Sequence, residues 1–96
     1  MTPSEIHNIC AKYGIRQYTI NDDMSISVNG YVDLSSKNLK SLPIKFKEVS
    51  GNFYCDNNQL TSLRGCPRTV GGYFSCRSNQ LTSLRGCPRT VGDGFN

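Results

Sequence analysis

From Val28 onward the apolar positions of this chain recur every twenty-one residues. Val49 to Thr69 reads VSGNFYCDNNQLTSLRGCPRT and Val70 to Thr90 reads VGGYFSCRSNQLTSLRGCPRT, identical at sixteen of twenty-one positions. The same register reaches back through VNGYVDLSSKNLKSLPIKFKE (28–48) and forward into VGDGFN from Val91. Val28, Val49, Val70 and Val91 thus form one column, and Val32, Phe53, Phe74 and Phe95 another. Leu34, Cys55 and Cys76 align, as do Leu39, Leu60 and Leu81, and Leu42, Leu63 and Leu84. A period of this length marks a repeat architecture, in which one unit cannot bury its apolar side alone but a stack of units can.

Within each unit the pattern changes. Phe53-Tyr54-Cys55 and Phe74-Ser75-Cys76 alternate apolar and polar, the period of a half-buried strand. Parallel strands are expected near 31–34, 52–55 and 73–76, stacked in a right-handed solenoid. A polar turn follows, ending at Asn58 or Asn79. A buried amide both donates and accepts, so a column of Asn could satisfy the backbone groups freed where the chain leaves the strand; a solvated turn residue is the plainer alternative. Lys37 holds that place in the first unit, which is therefore expected to turn differently. Leu60, Leu63, Leu81 and Leu84 then point inward. The return segment RGCPRT is rich in Gly and Pro and is read as irregular or 3₁₀ backbone.

The N-terminal third lacks the repeat. Residues 2–14 read as a helix: Thr2-Pro3-Ser4-Glu5 is a capping box with Pro at the first helical position, and Gly14 is the stop. Ile6, Ile9, Cys10 and Tyr13 make one apolar face. Gln17–Ile20 and Ser25–Val28 flank the turn Asn21-Asp22-Asp23 and read as a hairpin. Helix and hairpin together (1–29) are read as the cap of a single domain, 1–96, whose coils occupy 30–96 with an incomplete last repeat. Beyond Val91 the expected fourth strand lacks a coil above it; Val91 and Phe95 are the candidate self-association edge, with fraying as the alternative.

Composition narrows the setting. The apolar fraction is 36%, which suits a thin, regular core. No run approaches the roughly 18 apolar residues of a membrane span, and the opening MTPSEIHNIC lacks the basic start and apolar stretch of a secretory signal. Five cysteines are an odd number and cannot all pair within one chain; a reducing cytoplasm is the natural location. Cys55, Cys66, Cys76 and Cys87 lack the close spacing of a zinc knuckle and are expected to be small core residues. His7 is read as a surface helix residue, with a Cys10–His7 nucleophilic pair as the sharper alternative. Asp22 and Asp23 have no further calcium ligands nearby and are read as a turn. No phosphate loop, nucleophile elbow or catalytic carboxylate pair occurs, so no enzymatic activity, cofactor or metal is expected.

The net charge of +4 is uneven, about −2 over residues 1–33 and +6 over 34–96. Arg64 and Arg85 are equivalent, as are Lys47, Arg68 and Arg89, and these five are expected to form a basic back face, which is a solvated surface or a contact for nucleic acid or an acidic partner. The two best repeats differ only at Ser50/Gly71, Asn52/Tyr73, Tyr54/Ser75, Asp56/Arg77 and Asn57/Ser78. This divergence centres on the strand, where Tyr31, Asp33, Asn52, Tyr54, Asp56, Tyr73, Ser75 and Arg77 are the candidate partner-binding residues. Tyr and Arg are frequent interface anchors; drift at exposed positions is the alternative.

The pattern F-x-C-x-x-N-x-L-x-x-L resembles a leucine-rich-repeat core with Phe and Cys in leucine positions. The Cys-Pro after the last Leu looks like the short repeats of secreted bacterial effectors. The whole of residues 17–96 is similar to small leucine-rich-repeat proteins of tailed bacteriophages and giant viruses, with their GxFxCxxNQLTSLxGCPxxVGG units. The resemblance implies an α/β leucine-rich-repeat solenoid, and the divergence on the strand makes a protein-binding module using that face the leading expectation. The resemblance further implies a viral protein in the host cytoplasm that blocks a host factor, such as a component of its defences. A membrane is not among the expected partners.

Overall fold

The computed structural model describes residues 1–96. The chain winds as a β-solenoid of about three turns preceded by one helix. Helix α1 (Pro3–Lys12) begins at the capping box: the Glu5 N–H donates to Thr2 Oγ1 (3.2 Å) and the Thr2 N–H to Glu5 Oε1 (2.9 Å). Its Ile6 and Cys10 are buried in the main core, with Ile9 and Tyr13 packed against it. Strands β1 (Tyr18–Ile20) and β2 (Ile26–Val28) form the antiparallel hairpin. At its tip Asp23 Oδ1 accepts from the backbone N–H of Ser25 (3.0 Å) and from its hydroxyl, which closes the turn.

The repeats form two parallel sheets. Strands β3 (Val32–Asp33), β5 (Phe53–Tyr54), β7 (Tyr73–Ser75) and β9 (Gly94–Phe95) make the front sheet. Strands β4 (Phe46–Val49), β6 (Thr69–Val70) and β8 (Thr90–Val91) make the back sheet, which β2 and β1 extend to five strands. Neighbouring repeat strands pair at the expected offset, Val32 with Phe53, Phe53 with Phe74 and Phe74 with Phe95 in front. On the back Val28 pairs with Val49, Val49 with Val70 and Val70 with Val91.

The return segment is irregular as expected from Arg64 to Arg68 and from Arg85 to Arg89, and only its last residue, Thr69 or Thr90, enters a back strand. The tight turn lies at Arg64-Gly65: the Cys66 N–H donates to the Leu63 carbonyl (3.0 Å) and Gly65 has φ of 91°, a backbone that favours glycine. From Thr69 the chain is extended, and stacking aligns each Thr-Val or Glu-Val pair with the one beneath it. Between back and front strands the coils approach backbone to backbone. A Cβ at Gly71 would overlap the Ser50 carbonyl oxygen, so that corner has no room for a side chain.

The core is a row of stacked side chains. Phe46 meets Phe53 edge to face (ring centres 5.1 Å apart), Phe53 stacks on Phe74 (5.6 Å), and Phe74 meets Phe95 (5.0 Å). Leu60 and Leu63 are fully buried, as expected. The corresponding residues of the last coil are not: Leu81 is half-buried and Leu84 is 55% exposed. The expectation of burial at these two fails because each coil's leucines are covered by the coil that follows.

The Asn column lies at the front turn. Asn58 is buried; its carbonyl accepts from the N–H groups of Lys37 and Leu39 (both 3.0 Å). Its amide donates to the Leu34, Cys55 and Asp56 carbonyls (2.9–3.1 Å). Asn79 repeats this one coil higher, accepting from Leu60 and donating to Cys55, Cys76 and Arg77. Each Asn therefore ties its own turn to the turn beneath, and the first coil, with Lys37 in the column, is served by Asn58. That coil does turn differently: Asn38 takes φ of 57°, while the left-handed position common to the coils is Ser36, Asn57 and Ser78.

Candidate functional site

The front sheet gathers the expected partner-binding residues on one side of the solenoid, but it exposes them unequally. Three columns run across it: Tyr31, Asn52, Tyr73 and Gly94; Asp33, Tyr54, Ser75 and Asn96; and Ser35, Asp56 and Arg77. Tyr31 is 66% and Tyr73 48% exposed, and Asp33 and Arg77 are exposed. Asn52, Tyr54 and Asp56 are half-buried. Ser75 is only 5% exposed, which removes it from the accessible set. Its short side chain lies beside the longer Tyr54 across the strand pair, and its hydroxyl donates to Asp56 Oδ1 (2.6 Å).

Hydrogen bonds between coils account for part of the divergence between the repeats. Asn52 Nδ2 donates to the Tyr54 hydroxyl (2.8 Å), and Asn52 Oδ1 accepts the Tyr73 N–H (2.8 Å). Asp56 Oδ1 also accepts the Arg77 N–H (2.7 Å). The differing residues therefore include partners of one another, a dependence that no comparison of the two repeats as strings reveals. Arg77 leaves its guanidinium facing outward, near only Asn96 Oδ1 at 3.4 Å. The Tyr73 ring leans toward the coil above, where a Cβ on Gly94 would meet Cδ1 at 3.0 Å. What remains open is a patch with two tyrosyl rings, one carboxylate and one guanidinium.

The residues of the basic back, Lys47, Arg64, Arg68, Arg85 and Arg89, are all exposed and lie on the back strands and the turns leading into them. Val91 is half-buried and Phe95 41% exposed; both lie on strands paired along one side only, β8 and β9.

The Cys10–His7 alternative is not supported by the geometry. His7 Nδ1 meets the Tyr18 hydroxyl, whereas Cys10 is wholly buried. Burial holds the Cys10 thiol above its ordinary value, the opposite of what activates a nucleophile. Asp23 is held well below the usual carboxylate range by the Ser25 hydroxyl and N–H and then by Lys45, consistent with a turn residue.

All five cysteines are free thiols, and no three His, Cys, Asp or Glu side chains converge as metal ligands would. Cys55 and Cys76 donate to the carbonyls of Ser75 (3.4 Å) and Asn96 (3.3 Å) in the coil above. Burial, with Cys55, Asp56 and Cys87 nearby, pushes Cys76 up to about 11. A hydrogen bond with Cys55 and then burial raise Cys66 in the same direction. The folded chain therefore holds protons that the unfolded chain releases, and stability should fall as pH rises from about 9 to about 11. Urea melts across that window should show the loss, with a shallower slope in Cys76→Ala; a flat profile would contradict the assignment.

Comparison with protein-family models, with curated proteins and with solved structures finds no match to this chain. No helix is long and apolar enough to cross a membrane.

Proposed function

We propose that this β-solenoid is a small leucine-rich-repeat protein of the viral kind that binds a protein partner through the front sheet, around Tyr31, Asp33, Tyr73 and Arg77. One observation carries the reading: three of the five positions that differ between two otherwise identical coils, Asn52/Tyr73, Tyr54/Ser75 and Asp56/Arg77, fall in the columns of this face, where Tyr73 and Arg77 stand accessible beside Tyr31. Tyrosyl rings provide contact area and a polar tip at low entropic cost. Asp33 and Arg77 give the patch mixed sign, which suits a protein surface better than a row of phosphates. The helix and hairpin serve as the N-terminal cap. In the setting implied by the repeat resemblance, the partner is a host protein and binding blocks its action.

Tyr31→Ala with Tyr73→Ala should leave the melting temperature nearly unchanged and cost partner binding about 2 kcal/mol or more. Tyr54 is unsuited to this test because it is half-buried and bonded to Asn52. The matched control is Arg64→Ala with Arg85→Ala on the back. The readout is retention of the same captured host protein by wild type and both variants. Its loss from the arginine variant and retention by the tyrosine variant would place function on the other face.

A further inference from the structure

On the side opposite the tyrosines, the solenoid holds cations in register without acids between them. The Arg68 N–H donates to the Lys47 carbonyl (2.9 Å) and the Arg89 N–H to the Arg68 carbonyl (2.8 Å), so these residues occupy adjacent rungs. Rungs of a sheet are about 4.8 Å apart, and like charges on adjacent rungs repel. Beside this column the two Gly turns project Arg64 and Arg85. Between column and turns lies a depression of about 350 Å³ whose rim carries Lys45, Arg64, Arg68 and Arg89 and no carboxylate.

The chain's acids do not neutralise it. The single ion pair in the molecule is Lys45 Nζ to Asp23 Oδ2 at 3.3 Å, at the hairpin end of the stripe, where Asp22 and Asp23 also border Lys47. Glu48 forms no ion pair and lines a different depression, with Ser50 and Thr69. Asp33 and Asp56 belong to the front sheet. Arg64, Arg68, Arg85 and Arg89 are thus free of carboxylate partners. Gly86, which lines the depression, is an exposed residue whose N–H makes no hydrogen bond inside the chain, one more donor for an anion.

We infer that this face docks the phosphodiester backbone of a nucleic-acid duplex. Guanidinium forks match phosphate oxygens in pairs, and a polyanion relieves the repulsion along the ladder. A protein partner is the poorer match, because none of the exposed large apolar side chains lines the depression, and interfaces are anchored by such groups. A single strand is also the poorer match, because the exposed rings of Tyr31, Tyr73 and Phe95 lie elsewhere and the one ring lining the depression, Phe46, is buried and cannot stack on a base. Contacts limited to backbone phosphates imply binding that ignores base sequence.

The test is fluorescence anisotropy of the full chain with a short labelled DNA duplex at low salt. Binding is expected, with log Kd rising linearly with log salt at a slope of about 3–4, the value for roughly four phosphate contacts. Two duplexes of unrelated sequence should bind alike. Arg68→Glu with Arg89→Glu should weaken binding at least tenfold (about 1.4 kcal/mol) while keeping the wild-type circular dichroism. Tyr31→Ala with Tyr73→Ala should leave it unchanged, which separates this inference from the front-face reading. The inference is overturned by absence of binding at low salt, by duplex binding that survives the double charge reversal, or by polyglutamate competing as well as the duplex.

Discussion

Asn58→Leu is expected to be among the most damaging single substitutions in the chain. Leucine matches asparagine roughly in size but offers nothing to the five backbone groups that Asn58 serves. The N–H of Leu39 and the carbonyl of Leu34 belong to buried residues and have no other partner in the chain. The Cys55 carbonyl retains Asn79, and the Lys37 N–H lies at an exposed residue where water can reach it. Each buried group left unmade costs about 1–3 kcal/mol, so a loss of about 4 kcal/mol is expected once the lost bonds of the shared groups are included. That is a large part of the roughly 5–15 kcal/mol that stabilises a domain. Asn79→Leu should cost less, because Asn79 makes four such bonds and is only half-buried. Chemical denaturation of the two variants side by side provides the check, and equal losses would refute the account in which burial and the number of bonds made set the cost at each Asn.

Phe74→Ala should destabilise by about 3–5 kcal/mol, the range for a buried aromatic truncated to alanine. Phe74 is completely buried, with Phe53 stacked on one side at an interplanar angle of 8° and Phe95 on the other. Removing its ring opens a gap in the middle of the row, and the paired strands on either side hold the walls apart. Phe95→Ala removes a ring that is 41% exposed and should cost about 1 kcal/mol. Thermal melts should separate the two variants clearly; a Phe74→Ala protein as stable as Phe95→Ala would mean that the coils close up around the missing ring.

The candidate front site was partly legible. Residue columns offset by one repeat located Tyr31, Tyr73 and Arg77 on one face, and the structure leaves those side chains accessible. The same columns suggested Ser75, whose burial depends on the height of its neighbours and on the Asp56 carboxylate. The Asn52–Tyr54 bond was equally hidden, since residues two apart on one strand are not ordinarily read as a pair. The ladder of cations on the back was visible in the repeat register, but its lack of intervening acids is a fact of three dimensions.

Sequence alone determined the repeat, its register and its turns. A stacked coil must place equivalent residues one rung apart, so the pairing of Val32 with Phe53 and of Val49 with Val70 follows from the period. The capping box at Thr2 and the Asn at 58 and 79 are local devices whose chemistry can be read from residue type and spacing. Tertiary structure decided whatever depends on the neighbouring coil. Thr69-Val70 and Thr90-Val91 are too short to announce strands; they become a sheet because stacking supplies each with a partner. Leu63 is buried and Leu84 exposed in identical sequence surroundings, TSLRGCPRT, because only the first has a coil above it. In a solenoid the residues of one unit set its shape, but the adjacent units supply the surface against which its apolar side chains are buried.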